Sequence, residues 1–155
     1  MTTRTIDHST FVIERTYPAA PARVFAAWAD PESKKKWFRG PDDANPHHEL
    51  DFRVGGRETS RGGPPGGPVY RYDAVYRDIV PDVRIVSTYE MYMGDARISV
   101  SLATVELAPD GAGTRLTYTE HGAFLDGHDS AAQRKRGTED LLDKLGSALT
   151  SPANR

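Results

Sequence analysis

Apolar and polar residues alternate with a period of two along most of the middle of the chain. This alternation is typical of strands with one buried face, and turn residues such as Pro81 and Gly94 separate the segments that carry it. The seven strands predicted in this way cover residues 11–17, 47–54, 57–61, 70–80, 83–93, 97–107 and 114–121. The apolar positions change parity within the sixth segment, which predicts a β-bulge near Ala103 and Thr104.

Two short helices are predicted after the first strand, where apolar residues recur at helical spacing. The first runs from Pro21 to Ala29, and the second follows Asp30, an N-cap residue directly before Pro31. Lys34 to Lys36 at the end of the second helix are expected to form a solvated face, because positive charge complements the helix dipole there.

A third, long helix is predicted near the C-terminal end of the sequence. Ser130 and Gln133 form a capping-box pattern at its start. Its stripe consists of Thr138, Leu141, Leu142, Leu145 and Leu149, which is wide enough to cover a sheet. Gly137 lies on the same stripe and costs about 1 kcal/mol of helix propensity, which predicts a close approach there to a strand or to a bound group.

The order of elements is one strand, two short helices, six strands and a long helix. Strands with short connections prefer antiparallel neighbours, so the predicted fold is α+β: a curved seven-stranded antiparallel sheet with the C-terminal helix over its concave face. The glycine and proline run at 62–68 is interpreted as a loop rather than a linker, because a linker would leave only about 60 residues before it. We expect a single domain over residues 1–155 with its core at 11–149.

Composition excludes several classes of protein. The 20 Lys and Arg residues nearly balance the 22 Asp and Glu residues, so the chain lacks the basic excess expected of a partner of nucleic acid or of an anionic membrane. The apolar stretches are far shorter than the roughly 20 residues that span a bilayer, and the first ten residues carry no secretory-signal pattern. The absence of cysteine excludes disulfides, thiol catalysis and cysteine-bound zinc, and it favours the cytoplasm.

The order of short motifs along the chain resembles one superfamily. The motifs are Ala19 to Trp28, Asp30-Pro31, Trp37-Phe38, Asp51 to Gly56, Tyr76 to Pro81, Arg84 to Val86, Thr114 to Thr117 with Glu120 and Gly122, and the last helix with Gly137 and Leu142. They resemble the helix-grip superfamily of START-like lipid-transfer domains, pollen-allergen-type ligand carriers and polyketide cyclases, also called SRPBCC. Within it, the sequence looks like the branch homologous to the C-terminal domain of the activator of heat-shock-protein-90 ATPase. The resemblance implies a helix-grip fold, which ligand carriers, cyclases, hydratases and co-chaperones share.

Aromatic and thioether side chains share one parity on two neighbouring predicted strands. If this parity faces inward, a cavity between sheet and helix is lined by apolar groups with a few hydroxyls, which suits an apolar ligand. The alternatives are ordinary core packing, or tyrosines on the outer, wet face of the sheet. The predicted ligand-binding residues are Trp28, Trp37, Phe38, Tyr70, Tyr72, Tyr76, Tyr89, Met91, Tyr118, Glu120, Phe124 and Leu141.

Glu120 is the candidate carboxylate of this cavity, because it shares the parity of Tyr118. Buried there, it would act as a general acid or base, with Tyr76 as the second candidate catalytic residue. The alternative is that its strand ends there or that it pairs with an arginine. No metal is expected, since His47 and His48 are neighbours that point to opposite faces of a strand. The leading interpretation is also free of a cofactor. Phe124, just before the long helix, is expected either to form a lid or to anchor a loop.

These observations lead to one leading function and two alternatives. The leading prediction is a cytoplasmic domain that binds a small hydrophobic molecule in an internal cavity, as a monomer or homodimer without nucleic-acid or membrane partners. The first alternative is a cofactor-free enzyme of cyclase or hydratase type that uses Glu120 and a tyrosine. The second is a co-chaperone-like interaction module, which would use its surface rather than the cavity.

Overall fold

The fold consists of a sheet that one long helix covers. The computed structural model describes residues 3–39 and 47–150, so the expected bounds 1–155 reach beyond the described residues. In chain order the elements are β1 (Ile6–Tyr17), α1 (Pro21–Ala29), α2 (Pro31–Lys34), β2 (His47–Leu50), β3 (Arg57–Gly62), β4 (Tyr70–Val80), β5 (Arg84–Met93), β6 (Ala96–Asp110), β7 (Gly113–Leu125) and α3 (Ala131–Thr150).

The seven strands lie in the order β1-β7-β6-β5-β4-β3-β2, and each neighbouring pair is antiparallel. From β2 to β7, strands that follow one another in the chain are also neighbours in the sheet, so short connections suffice. The glycine and proline run at 62–68 joins β3 to β4, which pair with each other from Gly62 and Tyr70 onward. The segment is therefore a loop between paired strands, and the predicted α+β fold is confirmed.

Helix α3 covers one face of the sheet, which we call the inner face; the opposite face is the outer face. Leu142, Leu145 and Leu149 of α3 are buried in the core that the two elements share. The Tyr17 hydroxyl of β1 donates to the main-chain oxygen of Leu142 at 2.8 Å, which fixes the helix across the sheet. The predicted cap at the start of α3 is confirmed, because the N–H of Gln133 donates to the Ser130 side chain.

The two short helices place both tryptophans beside this core. Asp30 caps α2 as predicted, since its carboxylate accepts a hydrogen bond from the N–H of Ser33 at 3.1 Å. Trp28 and Trp37 pack edge to face with ring centroids 4.7 Å apart, and the Trp37 indole donates to the main-chain oxygen of Ala27. No helix in the described part of the chain is long and apolar enough to cross a bilayer.

Strands β1 and β7 are longer than their sequence pattern predicts. β1 starts at Ile6 instead of Phe11, and β7 continues to Leu125 instead of ending at His121. The two extensions support each other, because Ile6 and Leu125 are partners in the ladder that joins these strands. Phe124 therefore lies inside a strand and forms neither a lid nor a loop anchor.

The second predicted strand is shorter than expected. β2 ends at Leu50, whereas the alternating pattern predicted a strand up to Val54. The chain turns between Asp51 and Arg57, and the main-chain N–H of Asp51 donates to the oxygen of Arg57 across this turn. Gly55 adopts a positive φ of 84° within it, a conformation that glycine reaches without strain. The turn therefore ends β2 at Leu50, although the apolar alternation continues to Val54.

The predicted bulge of the sixth strand also lies elsewhere. The ladder between β5 and β6 changes register after Met91, where Ile98 is the extra residue, and not near Ala103. One extra residue moves every later side chain to the opposite face. Val100 and Leu102, which share the parity of Ile98, consequently face outward and are 41% and 39% exposed.

Candidate ligand-binding cavity

A cavity of about 420 Å³ lies between α3 and the inner face of the sheet. Ten of the twelve predicted ligand-binding residues line it; Glu120 and Phe124 do not. The ten are Trp28, Trp37, Phe38, Tyr70, Tyr72, Tyr76, Tyr89, Met91, Tyr118 and Leu141. The predicted tyrosines of β4 and β5 and Met91 therefore face the cavity as their shared parity predicts, whereas Met93, at the same parity, does not line it.

The cavity exists because small side chains lie among large ones on the inner face. Ser87 of β5 pairs with Ala103 of β6, and both line the cavity floor. Large aromatic rings surround this floor: the Tyr72 and Tyr89 rings lie 4.7 Å apart, and Phe38 meets Tyr72 edge-on at 5.0 Å. A serine and an alanine cannot fill the space between such rings, so it stays open.

Glu58 forms the first of two buried polar clusters in the cavity wall. Its Oε1 accepts hydrogen bonds from Lys34 Nζ and from the Tyr76 hydroxyl, each at 2.6 Å. Its Oε2 accepts from His48 Nε2 at 2.7 Å. Lys34 and Glu58 are only 2% and 1% exposed. We call these four residues the Glu58 cluster.

Within the Glu58 cluster, the negative charge of Glu58 is matched by the positive charge of Lys34. Burial by itself raises the pKa of Glu58, but the charge of Lys34 and the hydrogen bonds from its neighbours lower it to about 2. Burial lowers the pKa of Lys34, against the pull of the Glu58 carboxylate. Burial and the nearby carboxylate both raise the pKa of Tyr76, so its hydroxyl stays protonated and donates. The cluster is an ion pair supported by hydrogen bonds from Tyr76 and His48.

Lys34 corrects the prediction that the three lysines form a solvated face. Its ammonium group lies 4.3 Å from the centre of the Phe38 ring and 5.3 Å from that of Trp28. The sequence carried a signal for this placement, because Lys34 precedes Trp37 and Phe38 by three and four positions, which is the spacing of one helix face. Only its neighbours Lys35 and Lys36 are exposed.

Glu120 forms the second polar cluster with two tyrosines and an arginine. Its two oxygens accept hydrogen bonds from the hydroxyls of Tyr89 and Tyr118, each at 2.7 Å. Arg134 of α3 donates to the Tyr89 hydroxyl at 2.8 Å and lies 3.4 Å from a Glu120 oxygen. We call these four residues the Glu120 cluster.

Arg134 also extends beyond this cluster. Its other terminal nitrogen donates to Ser99 at 2.8 Å and to Asp129 at 3.0 Å. Burial lowers the pKa of Arg134, but the Tyr89 hydroxyl and the two carboxylates outweigh that effect and raise it, so the guanidinium is charged. Arg134 continues the stripe of α3 four residues before Thr138, which is the sequence signal that could have identified it.

The structure does not bring the two predicted catalytic residues together. Tyr76 donates to Glu58, while Glu120 is bound by two other tyrosines and lies behind them, fully buried. The alternative, in which Glu120 pairs with an arginine, is the one that the structure shows. Glu120 is linked to the cavity through Tyr89 and Tyr118, which line it and donate to its two oxygens.

Phe124 supports the Glu120 cluster instead of lining the cavity. Its ring centre lies 5.3 Å from the guanidinium carbon of Arg134, and its side chain is buried. A Cβ on Gly122 would approach the Phe124 ring to 3.0 Å, so the glycine makes room for this ring. The prediction that Phe124 contacts a ligand is therefore wrong for this arrangement of the cavity.

Polar residues form the rim of the cavity. Lys144 of α3 donates to the main-chain oxygen of Arg39 at 2.7 Å and thereby joins the two sides of the opening. Gly137 lies at the same rim, and a Cβ placed on it would meet no atom within 4 Å. The predicted close approach of Gly137 to a strand is wrong; open space lies beside this glycine. His48, one of the two histidines weighed for a metal site, is bonded to Glu58. No group of three potential metal ligands occurs among the described residues.

Comparisons with known proteins agree on one family. Residues 18–150 match the family model for Activator of Hsp90 ATPase homolog 1-like protein. The chain is similar to the crystal structure of the Mll3558 protein from Rhizobium loti, with 54% identity, a TM-score of 0.87, and coverage of 94% of this chain and 99% of that one. An uncharacterized protein from Rhizobium leguminosarum is 45% identical with a TM-score of 0.89, over 96% of this chain and 98% of that one.

A more distant structure shares the fold alone. DynU16, a protein in the dynemicin biosynthetic locus, is 19% identical with a TM-score of 0.67, over 92% of this chain and 47% of that one. No match was found among curated proteins. The family model covers most of the sequence, and the seven-stranded sheet with its C-terminal helix is the helix-grip arrangement. The chain therefore belongs to the Activator of Hsp90 ATPase homolog 1-like protein family, within the helix-grip superfamily.

Proposed function

We propose that this protein binds a small, mainly apolar ring compound in the cavity between α3 and the inner face of the sheet. The observation that carries the proposal is the void of about 420 Å³ with aromatic walls, a volume within the range of ligand sites in proteins. Ring faces of Tyr72, Tyr89 and Phe38 border this void. A flat apolar ligand would bury its own surface and that of these rings. Each Å² of apolar surface removed from water favours binding by about 25 cal/mol.

The polar groups of the wall support this reading. Lys34 is paired with Glu58, and Arg134 with Glu120, so the strongest charges of the wall are satisfied within the protein. A ligand does not have to supply a counter-charge to either cation. The apolar surface of the rings therefore dominates what the cavity offers.

A titration with N-phenyl-1-naphthylamine, a neutral probe that fluoresces in apolar sites, tests the proposal. The wild-type protein should bind one equivalent with saturation. Ala103→Phe places a ring on the cavity floor and should abolish this binding. Leu102→Phe, its neighbour on the outer face, is the matched control and should bind as the wild type does. Thermal unfolding checks that both variants fold, and equal probe binding by folded Ala103→Phe would contradict the proposal.

One observation favours a second candidate, an enzyme of cyclase or hydratase type. Tyr89 and Tyr118 line the cavity and their hydroxyls both donate to Glu120, which offers a route for a proton between a bound molecule and the carboxylate. Glu120→Gln would then remove turnover of a substrate and keep its binding. Turnover that survives this change would exclude the role. A co-chaperone-like role, the cytoplasmic location and the choice between monomer and homodimer stay predictions.

A further inference from the structure

Ser87 carries a hydroxyl that faces the cavity without a partner. The residue is 7% exposed, lies on the cavity floor and makes no side-chain hydrogen bond to any residue that the structure describes. Two other buried polar atoms of the described residues also lack partners, Trp28 Nε1 and Ser101 Oγ, but both are sealed within the packing. Ser87 Oγ is not sealed, so a molecule in the cavity can reach it. A buried hydroxyl that the fold leaves unpaired is best satisfied by such a molecule.

Three other hydroxyls near this floor are already occupied. The Tyr76 hydroxyl is bound to Glu58, and those of Tyr89 and Tyr118 are bound to Glu120. Tyr72 also has a hydroxyl with no partner among the described residues, and its ring lies 4.7 Å from that of Tyr89. Ser87 lies on the floor itself, whereas Tyr72 belongs to the rings around it, so Ser87 is the hydrogen-bonding group that we assign to a ligand on the floor.

The charges of the wall determine which ligands this hydroxyl can serve. The buried cations Lys34 and Arg134 face three carboxylates, those of Glu58, Glu120 and Asp129. A carboxylate ligand would lie close to these carboxylates, and it would find both buried cations already paired. The rim residues Arg39, Lys144 and Asp140 lie near solvent, where water and salt screen their charges. The wall thus disfavours anionic ligands.

We propose, on the basis of the proposed function above, that the cavity selects an uncharged aromatic ring compound with a hydroxyl group, and that Ser87 binds this hydroxyl. A hydroxyl both donates and accepts, as Ser87 does, so the two groups complement each other. The unsubstituted ring leaves Ser87 unpaired, and the carboxylate analogue finds both buried cations already paired. Ser87 is a specificity-determining residue in this account.

Three probes of matched ring size separate these effects: naphthalene, 2-naphthol and 2-naphthoate, each titrated with the protein by calorimetry at neutral pH. We expect 2-naphthol to bind about fivefold more tightly than naphthalene, as one hydrogen bond provides, and at least tenfold more tightly than 2-naphthoate. Ser87→Ala should remove the advantage of 2-naphthol over naphthalene and keep the affinity for naphthalene.

Ser101→Ala is the matched control, because it removes an unpaired hydroxyl of another buried serine that does not line the cavity. It should leave all three affinities unchanged. Both variants should fold, since neither loses a hydrogen bond. Ser87→Ala with an unchanged preference for 2-naphthol would overturn the assignment, as would a loss of that preference in Tyr72→Phe alone.

Two further outcomes also decide the matter. Binding of 2-naphthoate as tight as that of 2-naphthol would overturn the selection for uncharged ligands and leave the proposed function intact, because an aromatic ring still binds. Failure of all three probes and of N-phenyl-1-naphthylamine to bind would overturn the proposed function, and this inference with it.

Discussion

Arg134 on α3 donates a hydrogen bond to the hydroxyl of Tyr89 on β5, with 2.8 Å between the two atoms. The bond ties the covering helix to the sheet at a point where both residues line the cavity. Because the same guanidinium also lies 3.4 Å from a Glu120 oxygen, the contact combines a structural tie with charge compensation. The shape of the cavity depends on this pair.

Removal of the arginine should therefore be costly. Arg134→Met deletes the cation and leaves the buried Glu120 without compensation, so we expect the free energy of unfolding to fall by about 3 kcal/mol. Urea unfolding monitored by circular dichroism measures the change.

The double variant Arg134→Met with Glu120→Gln is the control. Glutamine removes the unpaired charge and still accepts from a tyrosine hydroxyl, so the double variant should be more stable than Arg134→Met alone. A double variant less stable than Arg134→Met would show that the loss of charge compensation is not the reason for the lower stability of Arg134→Met.

The Glu58 cluster should make stability depend on acid. The pKa of Glu58 is lowered from its ordinary value of 4.5 to about 2 in the folded protein, so its contribution to stability is complete above pH 5. This contribution is lost as the pH falls through the folded value. One pKa unit corresponds to about 1.4 kcal/mol, so the free energy of unfolding falls by about 3 kcal/mol in total.

The comparison with Glu58→Gln isolates this effect. Glutamine does not titrate, so the stability difference between wild type and variant should be largest near pH 6 and shrink steadily towards pH 2. Urea unfolding at a series of pH values measures it. A difference that stays constant over this range would mean that Glu58 does not form the ion pair with Lys34.

The two glycines of α3 should respond differently to alanine. A Cβ on Gly137 meets no atom within 4 Å, so Gly137→Ala should stabilise the protein by roughly 0.5–1 kcal/mol through helix propensity. A Cβ on Gly146 lies 3.2 Å from the ring of Tyr17, whose hydroxyl is held by Leu142, so Gly146→Ala should gain less or lose stability. Thermal unfolding of both variants tests this contrast. Equal changes in the melting temperature of the two variants would refute it.

The inner wall of the cavity could be predicted from the sequence because its residues recur at a spacing of two along β4 and β5. Tyr72 and Tyr76 lie before the register shift of β4, and Tyr89 and Met91 lie on one parity of β5, which fixes their common face. The same reasoning failed for Val100 and Leu102, because one extra residue at Ile98 reverses the parity and no turn residue marks it.

The buried charges could not be predicted in this way. Lys34 is buried because a carboxylate 24 positions along the chain meets it, and Arg134 because Tyr89 lies 45 positions before it. Such partners are set by the folded arrangement of sheet and helices, while local pattern assigns a charged residue to the surface. Ser87 was overlooked for a related reason, since a small polar residue adds nothing to an apolar alternation although it shares the parity of Tyr89.

The methionines offer the most direct test of the central claim, that the cavity binds an apolar ring compound. Met91 lines the cavity, and Met93, two residues later on the same strand, does not. In a protein labelled at the methionine methyl groups, N-phenyl-1-naphthylamine should shift the Met91 signal in proportion to its bound fraction and leave that of Met93 nearly unchanged. Saturable binding of the probe without movement of the Met91 signal would contradict the account, because the ligand would then lie outside the cavity.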